Sequence, residues 1–183
     1  MKRKRSRSRA VVAWLGVLVL SLLAGSWLSA RMDGPWGMIP GGPFASSGPD
    51  LSCGNLSSID SADLREVEVE IRPRRPRTIT TWNVAVDGSV FLPADFLTPF
   101  KRWPHQVLAD PRIRVRVGGR IYACQAVPVT EPERIAVLRR TIAAKYAIEP
   151  DSWASRAQVW WFELQPVEEP GSSASRNPQQ QIP

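Results

Sequence analysis

The sequence predicts a mainly β domain of the α+β class: a small antiparallel barrel of six strands with one short and one longer helix, carried on an N-terminal apolar helix. Three observations predict it. Glu66–Ile71 and Arg112–Val117 alternate apolar and charged residues with period two, the pattern of strands buried on one face. The dipeptides Asp87-Gly88 and Gly118-Gly119 join neighbouring extended runs as tight hairpins. The run from Ala10 to Ala30 carries no charge and is long enough to cross a hydrocarbon core of about 30 Å.

The N-terminus sets the compartment. The formal charge of the 183 residues is +7, and Lys2, Arg3, Lys4, Arg5, Arg7 and Arg9 supply six of those charges. The remainder is nearly neutral, so the basic balance describes a tail and not a nucleic-acid surface, and aromatic RNA-binding signatures are absent. A basic tail before the apolar run, with only Arg31 and Asp33 just after it, places residues 1–9 in the cytoplasm. Residues 10–30 then form a single-pass anchor in the cell membrane, and the barrel is exported, periplasmic or extracellular. A cleaved signal peptide is the alternative, although Leu28-Ser29-Ala30 is not an A-x-A site. Trp14 and Trp27 suit the two interfaces.

Residues 31–54 are read as a spacer, because Gly34, Gly37, Gly41, Gly42 and Gly48 with Pro35, Pro40, Pro43 and Pro49 forbid regular structure over much of it. Trp36, Met38, Ile39 and Phe44 allow part of it to lie against the domain or the bilayer. Two cysteines, Cys53 and Cys124, could pair in an oxidising compartment, but the favoured expectation is two unrelated thiols, one in a loop and one in a strand. No C-x-x-C or histidine cluster suggests a metal site.

The barrel domain is assigned to residues 55–167. A turn of helix is expected within 55–65, followed by the strand Glu66–Ile71 with Val67, Val69 and Ile71 inward. Ile79–Val86 and Val90–Pro93 flank the first hairpin. A short helix after Pro99-Phe100-Lys101-Arg102-Trp103-Pro104-His105-Gln106 should end near Asp110-Pro111, since a residue preceding proline avoids the helical region. Arg112–Val117 and Arg120–Val129 form the second hairpin, with Arg112, Arg114 and Arg116 on a solvated face. Thr130-Glu-Pro-Glu133 reads as a capping box. The helix it opens spaces Ile135, Leu138, Ile142 and Tyr146 along a packing side and stops before Pro150. Ala157–Pro166 is the last strand, with Trp160 and Trp161 on opposite faces. Residues 168–183 are too polar to fold and are expected to be disordered.

Phe91, Lys101-Arg102-Trp103-Pro104-His105-Gln106-Val107 and Asp110-Pro111-Arg112-Ile113, in this order of elements, resemble the pyridoxamine 5'-phosphate oxidase family of flavin-binding split barrels. There a Ser-Arg-Lys segment opens a helix reading His-Gln-x-x-x-Asn-Pro-Arg-Val. The layout is also similar to that of the deazaflavin-dependent nitroreductases, and the resemblance covers roughly residues 64–166.

The resemblance implies a split β-barrel that binds FMN or a deazaflavin across a homodimer interface and acts as an oxidoreductase on a substrate the sequence does not name. Arg102 falls on the arginine of the Ser-Arg-Lys segment, Lys101 on its serine and Trp103 on its lysine. Arg77 or Thr78 matches a second-strand arginine, and Trp82 or Asn83 stands where the family has another lysine. The implied cofactor set is therefore Lys101, Arg102, Arg77, Thr78, Trp82 and Trp103. Read from the residues alone, Lys101 and Arg102 near a helix N-terminus form an anion site or are solvated surface charges. Trp82 and Trp103 stack on a flavin or simply pack. His105, the sole histidine, is read as a surface helix residue. The alternative function is a non-catalytic barrel binding a ligand or partner at the cell envelope.

Overall fold

The computed structural model describes residues 3–37, 39–46, 48–58, 64–71, 74–95, 101–149 and 158–167. The C-terminal tail read as disordered lies outside them. Helix α1 (Arg3–Ser29) leads into β1 (Leu51–Ser52), a 3-10 turn (Cys53–Ser58) and β2 (Glu66–Ile71). Next come β3 (Arg77–Trp82), β4 (Val84–Val86), β5 (Ser89–Asp95) and α2 (Trp103–Ala109). After α2 come β6 (Arg112–Val117), β7 (Arg120–Val129), α3 (Pro132–Tyr146) and β8 (Val159–Pro166).

The strands run in the order β3-β2-β6-β7-β8-β5-β4, every pair on this path antiparallel, with β1 parallel to β7. The two ends of the path, β3 and β4, are separated in sequence only by Asn83, so one bent run brings the sheet round on itself. Among the described residues there are thus eight strands where six were expected. One reason is that the run Ile79–Val86 does not pass straight through Asn83. Its N–H donates to the Tyr146 hydroxyl at 3.1 Å and its carbonyl accepts from Lys145 Nζ at 3.0 Å, so its polar groups serve α3 and not a ladder. The other is β1, which comes from the segment read as a spacer.

Local chemistry explains the remaining elements. Asp87 and Gly88 both have positive φ, 52° and 76°, and Val86 pairs with Ser89, a two-residue turn matched to strand twist. α2 stops before Pro111, with the Asp110 N–H closing on the Gln106 carbonyl. α3 starts one residue later than the capping box implied: its N-cap is Glu131, without a side-chain cap bond, and Pro132 pre-sets the first turn.

Two apolar clusters result. Val67, Val69, Ile71, Leu92, Val115 and Phe162 belong to the first, which also receives Trp103 and Val107 from α2 and Leu56 from the 3-10 turn. The second joins Leu138 and Ile142 of α3 to Val84, Phe91 and Trp161, with Ile135 and Tyr146 at its margin. Trp160 packs on the first cluster and Trp161 lies within the second, so adjacent tryptophans face opposite sides of β8 as their alternation requires.

The Gly/Pro segment is a strap and not a free spacer. Gly41 exchanges backbone hydrogen bonds with Thr78, both at 3.1 Å, and the Thr80 hydroxyl donates to the Gly37 carbonyl. Phe44 is buried under Arg116, whose guanidinium lies 4.4 Å from its ring centroid, and the Phe44 N–H donates to Glu70. Cys53 is disulfide-bonded to Cys124 of β7, so the two cysteines expected to be unrelated thiols pair. The reason is the register of β1, which lays Leu51 and Ser52 along Tyr122 and Ala123 and delivers Cys53 beside Cys124.

Within α1, Val11–Ser29 has a mean hydropathy of 2.2 and none of it is buried against the domain. It is long and apolar enough to cross a membrane.

Candidate functional site

The six residues of the implied cofactor set are not gathered round one opening. Thr78 is fully buried, and its hydroxyl donates to the Gly42 carbonyl at 2.9 Å while its backbone serves Gly41. Trp103 is buried in the first core cluster, tilted against Phe162 with centroids 5.8 Å apart. Both side chains are thus committed to the fold. Trp82, at the end of β3, is part-exposed but has one face stacked on Tyr146 at 4.4 Å.

Lys101 is half-buried and Arg102 exposed, immediately before α2. Arg102 is the N-cap of that helix and caps nothing with its side chain. With only seven residues, α2 has a small dipole, so the anion-holding capacity here rests on the two cationic side chains. Arg77 is exposed at the start of β3 and lines a cleft of about 240 Å³ beside the last turn of α1; neither Lys101 nor Arg102 lines it. Among the described residues, neither Arg77 nor Arg102 has a carboxylate partner. His105 is exposed on α2, edge-on to Trp160 at 5.0 Å.

Arg112, Arg114 and Arg116 differ. They were expected to form a solvated face, yet Arg114 and Arg116 are half-buried, and all three are matched by carboxylates. Arg114 binds Asp50 at 2.7 and 2.9 Å and Glu70 at 3.1 Å. Arg116 binds Asp33 at 2.8 Å and Glu68, and Arg112 chelates Asp110. The backbone N–H of Ala45 and the Arg116 guanidinium hold the Asp33 carboxyl below its usual range, against a smaller desolvation. The hydrogen bonds from Arg112 do the same for Asp110. Asp50 and its hydrogen bonds push the Arg114 guanidinium pKa upward, so it stays charged. The row is a clasp for the strap, and no cation in it is left for an outside anion. Sequence periodicity could not find Asp33 and Asp50, because they lie over sixty residues away in a segment without regular pattern. The available signal was three arginines on one strand face, with Glu68 and Glu70 on the alternating neighbour.

A polar knot lies behind Trp82. Asn83 is 1 % exposed; its side-chain amide donates to the Leu64 carbonyl at 2.9 Å, and its own carbonyl groups accept from Lys145. Burial, with Arg65 nearby, lowers the Lys145 pKa. Burial raises that of Tyr146, whose hydroxyl donates to the Arg65 carbonyl. Every member has an intramolecular partner, so the knot fastens the end of α3 over the bend.

No family model matches the chain, and no curated protein matches it. Solved structures similar to it include HutZ, described as the heme storage protein of Vibrio cholerae, at 14% identity over 58% of this chain and 84% of that chain, TM-score 0.47. A FAD-binding protein from Mesorhizobium loti is 14% identical over 64% of this chain and 90% of that one, TM-score 0.43. A candidate pyridoxamine 5'-phosphate oxidase from Listeria innocua is 10% identical over 57% and 85%, TM-score 0.42. The solved structures that this chain is similar to thus include proteins described as pyridoxamine 5'-phosphate oxidase and as FAD-binding.

Proposed function

We propose that the chain is a membrane-anchored, exported split-barrel protein that binds a flavin or deazaflavin, with Arg102, Lys101 and Arg77 as the cations that meet its phosphate. The observation that carries this reading is selective neutralisation. The arginines of β6 are each paired with carboxylates, whereas Arg77 and Arg102 have none among the described residues. A bound flavin would supply hydride chemistry. The chain would contribute charge, one part-exposed tryptophan face at Trp82, and the barrel that positions both. Thr78 and Trp103 stay out of the site because the strap and the core hold them. Residues 10–30 are the anchor and 55–167 the exported unit, with the N-terminus cytoplasmic. The Cys53–Cys124 bond supports export, since such bonds persist in oxidising compartments. In the reading carried over from the resemblance, two copies would share the cofactor.

A second reading, a non-catalytic binding barrel of the envelope, is favoured by one specific observation. The strap lies on the edge of β3 and consumes Thr78, where the resemblance puts a cofactor contact. One experiment separates the two. The full-length protein in detergent is titrated with FMN and with deazaflavin and followed by absorbance. Bound cofactor near one per chain, lost in the Lys101→Ala/Arg102→Ala double variant, is the expected result. A colourless chain that takes up neither cofactor leaves the non-catalytic barrel.

A further inference from the structure

The cleft beside α1 has a chemistry of its own. It is lined by Ser26, Ser29 and Ala30 from the helix end, by Pro40 and Gly41 of the strap, and by Arg75, Pro76 and Arg77 leading into β3. Its walls are fixed relative to one another. The Gly42 N–H donates to the Met32 carbonyl at 3.0 Å, and Gly41 is hydrogen-bonded to Thr78, so the chain leaving α1 is tied through the strap to β3. Arg75 and Arg77 are exposed and have no carboxylate partner among the described residues. Arg31, immediately after the apolar run, lies over the Trp27 ring at 3.6 Å.

Depth decides what such a cleft would meet. Val11–Ser29 is 19 residues, about 28 Å at the helical rise, close to the hydrocarbon thickness of a bilayer. With that span in the membrane, Ser29 stands at the boundary and the cleft at the level of the lipid phosphates. Trp27 would lie at the interface that tryptophans favour. Arginine is suited to a phosphate by its forked donors, and the Ser26 hydroxyl can add one more, whereas that of Ser29 donates to the Ser26 carbonyl at 3.0 Å.

We propose that this cleft binds the phosphate of an anionic phospholipid headgroup, with Arg75 and Arg77 as its ligands and Ser26 and Ser29 along its wall. The site rests on the membrane-anchor reading and shares Arg77 with the cofactor reading, so it is Arg75 that tells the two sites apart. Occupancy would set the barrel at one height and orientation on the bilayer, with the strap as the connection.

The test uses the full-length protein in detergent with equal amounts of phosphatidylglycerol and phosphatidylcholine, and native mass spectrometry to count retained lipid. Preferential retention of phosphatidylglycerol is expected, on the order of tenfold, falling to parity in Arg75→Gln/Arg77→Gln. The single variant Arg75→Gln should weaken lipid retention without touching cofactor uptake; Lys101→Ala/Arg102→Ala should do the reverse. A narrow, low charge-state distribution in the same spectra, matching that of the wild type, shows that the variants are folded. Equal retention of the two lipids by the wild type, or a preference unchanged in the double variant, overturns the proposal. Displacement of the lipid by equimolar glycerol phosphate would also overturn it, as the mark of a free-phosphate site. A chain that does not float with vesicles fails at the anchor, whereas one that floats but shows no lipid preference fails only at the cleft.

Discussion

Replacing both Cys53 and Cys124 by alanine tests whether the strap is a structural part of the barrel. The bond closes a loop with a sequence separation of 71. By chain entropy a loop of that length restricts the unfolded state by about 4 kcal/mol. Both cysteines are buried, Cys124 fully and Cys53 to 4 % exposure, so the substitution adds a small loss of packing. For a domain of this size the sum corresponds to a fall in melting temperature of roughly 15 °C. Scanning calorimetry of the double variant, and of the wild type with and without reductant, measures it. A fall under about 3 °C would refute the reasoning: the unfolded chain would then already be restricted, or the strap would be held without the bond.

Four further outcomes are expected. Arg114→Met should cost about 2–4 kcal/mol in denaturant unfolding, because it strands the buried Glu70 together with Asp50, discounted for Arg114's part exposure. Gly41→Ala should expose the strap to protease, since its Cβ would overlap the Gly34 carbonyl oxygen; unchanged cleavage within 33–45 would contradict the packing. The Asp33 carboxyl titrates below its ordinary 3.8, so its contribution is complete above that pH and lost as pH falls through the lowered value; Asp33→Asn should flatten acid unfolding there. Leu138→Ala, fully buried on the inward face of α3, should cost about 2–5 kcal/mol by calorimetry.

What the sequence disclosed follows from where each determinant lies. Hairpins at Asp87-Gly88 and Gly118-Gly119 are set by two-residue chemistry, and α3 by its own apolar spacing, so both are readable locally. The break at Asn83 is not, because it is made by Tyr146 and Lys145, some sixty residues later. The strap is equally hidden. Glycine and proline signal only the absence of helix and strand, while the forces that dock it come from Arg114, Arg116 and Glu70 on distant strands. The surroundings of the implied cofactor set are hidden in the same way. A motif can match at Thr78 and Trp103, but burial by the strap and the core is a tertiary fact.

The bend at Asn83 and the strap have a joint consequence for how the sheet meets other chains. Where β3 parts from β5 and β4 from β2, a split barrel leaves lengths of backbone that could recruit a strand from another molecule. Here Gly41 occupies the first length at Thr78, and Tyr146 and Lys145 engage the backbone of Asn83 at the second. Both openings carry a guard made from the chain itself, a defence against edge-to-edge aggregation.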